Sequence, residues 1–123
     1  MAKIELPAAV SEMKPYRLDG KFLAITGGNR GIGKATALRF GQEGSSIVLL
    51  LQRTPADDVI AELSALGTRG VWIECDVSDE QSRCQAVKGI EAEVNALGKG
   101  LDGFVNNAGI TEDALGASRM LYM

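Results

Sequence analysis

The segment Phe22-Leu23-Ala24-Ile25-Thr26-Gly27-Gly28-Asn29-Arg30-Gly31-Ile32-Gly33 decides the fold of this chain. Its first five residues are a short apolar run, which predicts a buried strand. The glycines that follow predict a tight turn. Residues 31–43 then repeat apolar side chains at Ile32, Ala35 and Leu38, a spacing that favours a helix packed through those positions. The segment therefore predicts a strand–loop–helix unit.

The same alternation continues along the chain. Three more apolar runs predict strands, at Ile47–Leu51, Gly70–Cys75 and Leu101–Asn106. Because the first two strands of the chain are continuously apolar, we expect them to be covered on both faces, as in a parallel sheet. Strands that alternate with helices predict an α/β, Rossmann-type doubly wound parallel sheet of order 3-2-1-4 that stops after the fourth strand.

Two further helices are predicted between the later strands. The second helix begins with an N-cap at Thr54 followed by Pro55, and the third begins with the capping box Ser78-Asp79-Glu80-Gln81. Helical spacing predicts that both helices bury an apolar face: Val59, Leu63 and Leu66 in the second, and Val87, Ile90, Val94 and Leu97 in the third.

Composition excludes several classes of function. The chain of 123 residues has 13 basic and 16 acidic residues, so it lacks the positive charge of a nucleic-acid-binding protein. It has no histidine and only two cysteines, which excludes histidine-based catalysis and a four-cysteine zinc site, and no metal site is expected. The N-terminus lacks a signal-peptide core, and the longest apolar run is too short to span a membrane. We expect a soluble, cytoplasmic protein without a membrane partner.

A glycine-rich loop between a strand and a helix is typical of a pyrophosphate site, since backbone N–H groups and the helix dipole face the anion there. Gly27 would permit the sharp turn, Gly31 would keep a Cβ away from the pyrophosphate, and Gly33 would let the helix pack closely on the strand. The spacing is G-x-x-x-G-x-G and not the G-x-G-x-x-G of the standard fingerprint, so the glycines alone also fit a purely structural turn.

The end of the second strand bears on the choice of cofactor. An acidic residue at this place binds the ribose 2′-hydroxyl of NAD, whereas arginine accommodates the 2′-phosphate of NADP. The strand ends with Gln52-Arg53, and the first carboxylate is Asp57, inside the next helix. Arg53, with Arg30 from the loop, could pair with a phosphate, so NADP is predicted in preference to NAD. The alternative is that Arg53 is only a solvated residue at the strand end.

Three motifs, each at the end of a predicted strand, resemble those of the short-chain dehydrogenase/reductase family. They are Thr26-Gly27-x-x-x-Gly31-Ile32-Gly33, Cys75-Asp76-Val77 and Asn106-Asn107-Ala108-Gly109. The resemblance covers about residues 16–115. It implies that residues 21–123 form an incomplete dinucleotide-binding domain without the catalytic half. Residues 1–20 include Pro7 and Pro15 and show no sustained periodicity, so they are predicted to be an extended arm.

The resemblance also implies roles for individual residues. The glycine loop would hold the cofactor pyrophosphate, Asp76 would contact the adenine with the Val77 backbone nearby, and Asn106 would brace the sheet. Ala108 and Gly109 would line the two riboses. The expected cofactor-binding residues are Gly27, Asn29, Arg30, Gly31, Ile32, Gly33, Arg53, Asp76, Val77, Asn106, Ala108 and Gly109.

The family resemblance implies hydride transfer between NADP(H) and a small carbonyl or alcohol substrate. The segment Asn106-Asn107-Ala108-Gly109-Ile110-Thr111-x-Asp113 is similar to 3-oxoacyl-carrier-protein and acetoacetyl-CoA reductases. The segments 17–21 and 51–53 look more like sugar and sugar-acid dehydrogenases of the 2-deoxygluconate 3-dehydrogenase type. Both substrate classes stay open.

The family's catalytic residues have no counterpart in the motifs of this chain. The family uses a Tyr-x-x-x-Lys pair and a serine for proton transfer. Neither Tyr16 nor Tyr122 is followed by lysine four residues on, Ser118 comes too early in the chain, and the family's helix asparagine is missing. No catalytic residue is therefore assigned, and we expect the chain to be a fragment, a spliced form or a truncated product of a full reductase.

Two other functional hypotheses stay open. One is a non-catalytic dinucleotide-binding module, which would carry every motif present here. The other is a flavodoxin-like domain with an unrelated ligand, which would make the motif 106–109 accidental. In a sheet of order 3-2-1-4 without a fifth strand, the fourth strand, Leu101–Asn106, would be an unpaired apolar edge and is expected to favour self-association.

Overall fold

The two central strands of the sheet are buried on both faces. In a computed structural model, which describes residues 17–108, strands β1 (Phe22–Thr26) and β2 (Ile47–Gln52) run parallel with Phe22 opposite Ile47. Every residue of both strands is buried. The continuous apolar runs predicted this arrangement, and the prediction is confirmed.

Among residues 17–108, three helices and two strands complete the fold. In chain order they are α1 (Gly31–Gln42), α2 (Asp57–Ala65), β3 (Arg69–Glu74), α3 (Glu80–Asn95) and β4 (Gly103–Val105). The sheet has the order β3-β2-β1-β4, and all neighbouring strands are parallel. The doubly wound α/β fold and the order 3-2-1-4 are therefore confirmed. The carboxyl ends of the strands meet at one edge of the sheet.

An apolar core lies on each face of the sheet. Successive residues of β2 point to opposite faces. Leu49 and Leu51 belong to the core that α3 covers, whereas Val48 and Leu50 belong to the core that α1 and α2 cover. Full burial of one such side chain contributes roughly 1.5–3 kcal/mol, so β2 stabilises both layers at once.

Helix α1 packs through a different face from the predicted one. Ile32 is 80% exposed and Ala35 is also exposed, so the prediction is wrong for both, and only Leu38 contacts a core. The buried residues of the helix are small and four positions apart: Gly33, Ala37 and Gly41. A Cβ on Gly41 would lie 2.9 Å from Cδ2 of Leu63, so the small face lets α1 approach α2 closely.

Helix α2 begins three residues after the predicted N-cap. Its first residue is Asp57, and its N-cap residue is Ala56, which makes no side-chain capping bond. The hydroxyl oxygen of Thr54 accepts a 3.3 Å hydrogen bond from Nδ2 of Asn29 instead. The apolar face is confirmed in part. Val59 and Leu63 are buried, whereas Leu66, just beyond the helix, is exposed.

Helix α3 is capped one residue later than predicted. Oδ2 of Asp79, and not the hydroxyl of Ser78, accepts a 2.9 Å hydrogen bond from the N–H of Ser82. Of the predicted apolar face, Ile90 and Val94 are buried, whereas Val87 and Leu97 are exposed. The buried line runs along Ala86, Ile90 and Val94, which leaves Val87 to one side and Leu97 beyond the helix end.

Strand β4 forms one edge of the sheet. Within the described range it pairs with β1 only, and it is three residues long where the sequence predicted 101–106. Phe104 in its centre is 43% exposed. Just before the strand, Asp102 and Phe22 exchange two 2.8 Å hydrogen bonds, one backbone to backbone and one to the Asp102 carboxylate. Self-association through this edge stays a prediction.

The N-terminal arm is described only at its end. Residues 17–20 form a turn in which the N–H of Leu18 donates to the carbonyl of Glu43 at 2.9 Å. Tyr16, Gly109, Ser118 and Tyr122 lie outside the described residues. Between residues 17 and 108, no helix has both the length and the apolar character needed to cross a membrane.

Candidate functional site

A groove runs along the carboxyl edge of the sheet. One part is a cleft of about 400 Å³ at the ends of β2 and β3, and the other is a cleft of about 370 Å³ at the start of α1. The two clefts share four lining residues: Gly27, Asn29, Arg30 and Ala108. Together they bring ten of the predicted site residues to one surface, namely these four and Gly31, Ile32, Gly33, Arg53, Asp76 and Val77.

The remaining two predicted residues do not line the groove as described. Asn106 lies beside it, where its side-chain oxygen accepts from the hydroxyl of Thr26 at 3.4 Å. Gly109 lies outside the described residues. The binding roles assigned to all twelve residues stay predictions.

The glycine loop turns sharply at Gly27 and packs tightly at Gly33. Gly27 has a φ of +67°, which glycine adopts without strain, and its N–H donates to the carbonyl of Leu51 at 3.0 Å. A Cβ on Gly33 would lie 1.9 Å from the carbonyl oxygen of Gly27 and 2.5 Å from Nδ2 of Asn107. No side chain fits there. The close contacts of Gly33 are thus with the glycine loop and with Asn107, whereas the sequence predicted close packing of the helix on the strand.

Thr26 ties the glycine loop to the loop after β4. Its side chain is fully buried, and its hydroxyl oxygen accepts hydrogen bonds from the backbone N–H groups of Asn107 and Ala108, both at 2.9 Å. Nδ2 of Asn107 in turn donates to the carbonyl of Gly27 at 3.1 Å. These bonds hold the two walls of the groove at a fixed separation.

Two arginines give the rim of the groove its positive charge. Arg30 and Arg53 are both exposed and both line the 400 Å³ cleft. The ion pairs found between residues 17 and 108 use other basic residues: Lys34, Arg39, Arg69 and Lys99. Both guanidinium groups are therefore available to an anionic ligand.

Asp76 places a carboxylate in the same 400 Å³ cleft. Both the N–H and the hydroxyl of Ser78 donate to Oδ1 of Asp76, at 3.0 and 2.6 Å. These bonds lower the pKa of Asp76 below its ordinary value of 3.8, burial partly opposes them, and the positive charge of Arg53 lowers it further. The carboxylate is ionised at neutral pH and can only accept hydrogen bonds.

The groove contains five residues that the sequence did not assign to it: Leu51, Gln52, Thr54, Cys75 and Asn107. Gln52 is the clearest omission, because a glutamine that ends an apolar strand was visible in the sequence. Its Nε2 donates to the carbonyl of Thr54 at 2.8 Å, and its buried Oε1 has no partner among the described residues. Burial raises the pKa of Cys75, and the nearby Asp76 charge adds to this, so its thiol is protonated.

The chemistry available in the described groove is that of binding. It offers backbone N–H groups, side-chain amides, two guanidinium groups and one carboxylate. The two tyrosines of the chain, at positions 16 and 122, lie outside the described range. The groove can therefore hold an elongated, phosphorylated ligand between a basic rim and a carboxylate.

Comparison with known proteins identifies the family. The family model described as short chain dehydrogenase matches residues 21–120. The chain belongs to the short-chain dehydrogenase family. The predicted resemblance is thus confirmed, and the flavodoxin-like alternative is wrong.

Relatives within the short-chain dehydrogenase family are similar over most of this chain. Sex determination protein tasselseed-2 of Zea mays is 36% identical over 113 residues, which are 92% of this chain and 32% of the maize protein. The 3-oxoacyl-[acyl-carrier-protein] reductase FabG of Thermotoga maritima is 39% identical over 100 residues, which are 80% of this chain and 39% of that reductase. The chain spans about a third of the length of the curated relatives it matches.

Solved structures of the short-chain dehydrogenase family share the fold described above. A short-chain type dehydrogenase/reductase from Mycobacterium marinum superposes with a TM-score of 0.67 at 32% identity. The match covers 80% of this chain and 38% of the mycobacterial chain. The fold described here therefore matches about two fifths of the mycobacterial chain.

Proposed function

We propose that the groove binds a nicotinamide dinucleotide, with NADP(H) preferred over NAD(H). We further propose that the chain is the cofactor-binding part of an oxidoreductase acting on a carbonyl or alcohol substrate. The observation that carries this proposal is the joined pair of clefts, which spans the ends of β1, β2 and β3 and the start of α1. In doubly wound sheets, ligands bind at this edge.

The start of α1 fits a pyrophosphate. The N-cap residue Arg30 makes no side-chain capping bond, so the first N–H groups of the helix, at residues 31–33, have no cap partner. A Cβ on Gly31 would meet nothing within 4 Å, so the space beside this residue at the start of the helix is open. Residues 31–33 would donate to the phosphate oxygens, aided by the helix dipole.

The larger cleft fits an adenosine with an additional phosphate. Asp76 and the backbone of Val77 would contact the adenine, as the family resemblance implies, and Ala108 would line the ribose. Arg53 and Arg30 stand on the rim without a salt-bridge partner within residues 17–108, which supports a role toward a 2′-phosphate. This arrangement favours NADP(H).

The nicotinamide ring, when bound, supplies or accepts the hydride. The loop that follows β4, through Ala108 and Gly109, would orient the nicotinamide half. For the substrate we propose a 3-oxoacyl thioester or a sugar or sugar acid. The first class is supported by the 39% identity to the Thermotoga maritima 3-oxoacyl-[acyl-carrier-protein] reductase, and the second by the segments at residues 17–21 and 51–53.

A second candidate function is a non-catalytic dinucleotide-binding module. It is favoured by the content of the described groove, in which every polar group is suited to binding and no tyrosine is placed within residues 17–108. The two candidates share the cofactor site and differ in turnover.

A fluorescence titration followed by a turnover assay tests both candidates. Trp72 is the single tryptophan, and its Nε1 donates to the carbonyl of Gln52 at 2.9 Å beside the cleft, so bound NADPH should quench its emission. We expect saturable quenching by NADPH and weaker binding of NADH. Oxidation of bound NADPH by 3-oxoacyl thioesters or ketoses supports the oxidoreductase, and binding without oxidation supports the module. Absence of saturable binding contradicts both.

A further inference from the structure

The turn after β3 fixes one of the two carboxylate oxygens of Asp76. Both donors of Ser78, its N–H and its hydroxyl, bond to the same oxygen, Oδ1. The N–H of Asp79 donates to the carbonyl of Asp76 at 3.0 Å and closes the turn. The carboxylate therefore has one oxygen engaged by two hydrogen bonds from a neighbour two residues away.

The backbone of Asp76 is held independently. Its N–H donates to the hydroxyl oxygen of Ser82 at 2.8 Å, and the N–H of Ser82 donates to the N-cap carboxylate of Asp79 at 2.9 Å. The start of α3 thus fixes the backbone of Asp76, while Ser78 fixes the side-chain dihedrals. This division makes Ser78 the residue that decides where the carboxylate points.

The second oxygen, Oδ2, has no donor among residues 17–108, and Asp76 lines the cleft. An ionised carboxylate accepts hydrogen bonds and donates none. An amino group on a purine would therefore be stabilised at Oδ2, whereas a carbonyl oxygen at the same place would meet a second acceptor. A site that accepts a hydrogen bond from an amino group binds an analogue with a carbonyl at that position less well.

We infer that Ser78 is a positioning residue that aims Oδ2 of Asp76 into the adenosine cleft and so gives the site its preference for a 6-amino purine over a 6-oxo purine. This inference rests on the proposed dinucleotide site. It adds a specificity-determining residue that does not itself contact the ligand.

The test compares NADPH with its hypoxanthine analogue, in which a carbonyl replaces the adenine amino group. Binding to each is measured by calorimetry or by Trp72 quenching. In Ser78→Ala we expect the affinity for NADPH to fall about five- to tenfold, because the carboxylate loses a charge-assisted hydrogen bond, with little change for the hypoxanthine analogue. Ser78→Thr keeps the hydroxyl and should keep the preference of the parent chain.

Matched controls separate positioning from a loss of structure. Ser64→Ala changes an exposed serine of α2 outside the groove and should leave both affinities unchanged. Ser78→Cys keeps the shape with a weak donor and should show the same selective loss if Ser78→Ala fails to fold.

Two results overturn the inference: an equal loss for both dinucleotides in Ser78→Ala, or no loss for either. Failure of the proposed function is distinct, since the parent chain would then bind neither dinucleotide.

Discussion

The hydroxyl oxygen of Thr26 accepts a 2.9 Å hydrogen bond from the backbone N–H of Asn107, a residue 81 positions later in the chain. The same oxygen accepts a second bond from Ala108. Because Thr26 is fully buried at the end of β1, this contact connects the glycine loop to the loop after β4 inside the fold. Thr26 therefore joins the two walls of the groove, together with the bond from Nδ2 of Asn107 to the carbonyl of Gly27.

Thr26→Val should destabilise the chain by about 2–4 kcal/mol, because two backbone donors lose their acceptor in a partly buried place. Thr26→Ser keeps the hydroxyl and should lose less than about 1 kcal/mol, as expected for one buried methyl group. Urea unfolding followed by Trp72 emission measures both. Equal stability of the valine variant and the parent chain would show that Thr26 does not connect the two loops.

Gly33→Ala should abolish or strongly weaken dinucleotide binding, since its Cβ would lie 1.9 Å from the carbonyl oxygen of Gly27 and would displace the glycine loop. Overpacking of this kind also costs about 1–3 kcal/mol of stability. Gly100→Ala is the matched control, because its Cβ would meet nothing within 4 Å. If both alanine variants bind NADPH like the parent chain, the loop geometry has no part in binding.

Arg53→Ala should weaken NADPH binding by about 10- to 100-fold and NADH binding by less than about twofold, because a charge-assisted pair to the 2′-phosphate is lost. Lys88→Ala removes the same charge from an exposed place on α3 and should change neither affinity. Calorimetric titration with each dinucleotide gives the comparison. A similar loss for NADPH and NADH in Arg53→Ala would exclude the 2′-phosphate role and leave Arg53 as a solvated residue.

Asp102 should make the stability of the chain depend on pH. The hydrogen bonds from Lys99 Nζ and from the N–H of Phe22 lower the pKa of Asp102 below its ordinary value of 3.8. A lowered folded-state pKa contributes stability above the unfolded-state pKa, and this contribution is lost as the pH falls through the folded-state value. The stability difference between the parent chain and Asp102→Asn should therefore be constant from about pH 6 to 8 and shrink below about pH 4.

Urea unfolding at a series of pH values measures this difference. Glu74→Asn removes an acidic side chain from an exposed place at the other edge of the sheet and serves as the control. A difference for Asp102→Asn that grows as the pH falls would contradict the assignment, because it would mean that the folded state favours the protonated carboxyl.

The central strands and the groove were predictable because their signals are local. The runs 22–26 and 47–51 are apolar at every position, apart from the terminal Thr26, and such runs have few alternatives to a buried parallel strand. The glycine loop and the residues after each strand lie at the same edge of any doubly wound sheet. The proximity of these residues therefore follows from the topology of the sheet and can be predicted without knowing how the helices pack.

The packing of the helices was less predictable, since it depends on partners distant in sequence. Ile32 matches the apolar spacing of a helix, and yet it is exposed. The tight approach of α1 to α2 instead requires the small residues Ala37 and Gly41 on the inner face of α1. Thr54 and Ser78 are both good N-caps by type, yet their side chains bond to Asn29 and Asp76. Asp79 caps α3 instead, and α2 begins after Ala56 without a side-chain cap.

The central claim is that the N–H groups at the start of α1 bind the pyrophosphate of a dinucleotide. Chemical-shift mapping of the ¹⁵N-labelled chain during titration with NADP⁺ tests it most directly. We expect the amide signals of Gly31, Ile32 and Gly33 to shift saturably, with the same dissociation constant as that of Asp76. Saturation of other amides while these three stay unchanged, or no saturable shift at any concentration, would contradict the claim.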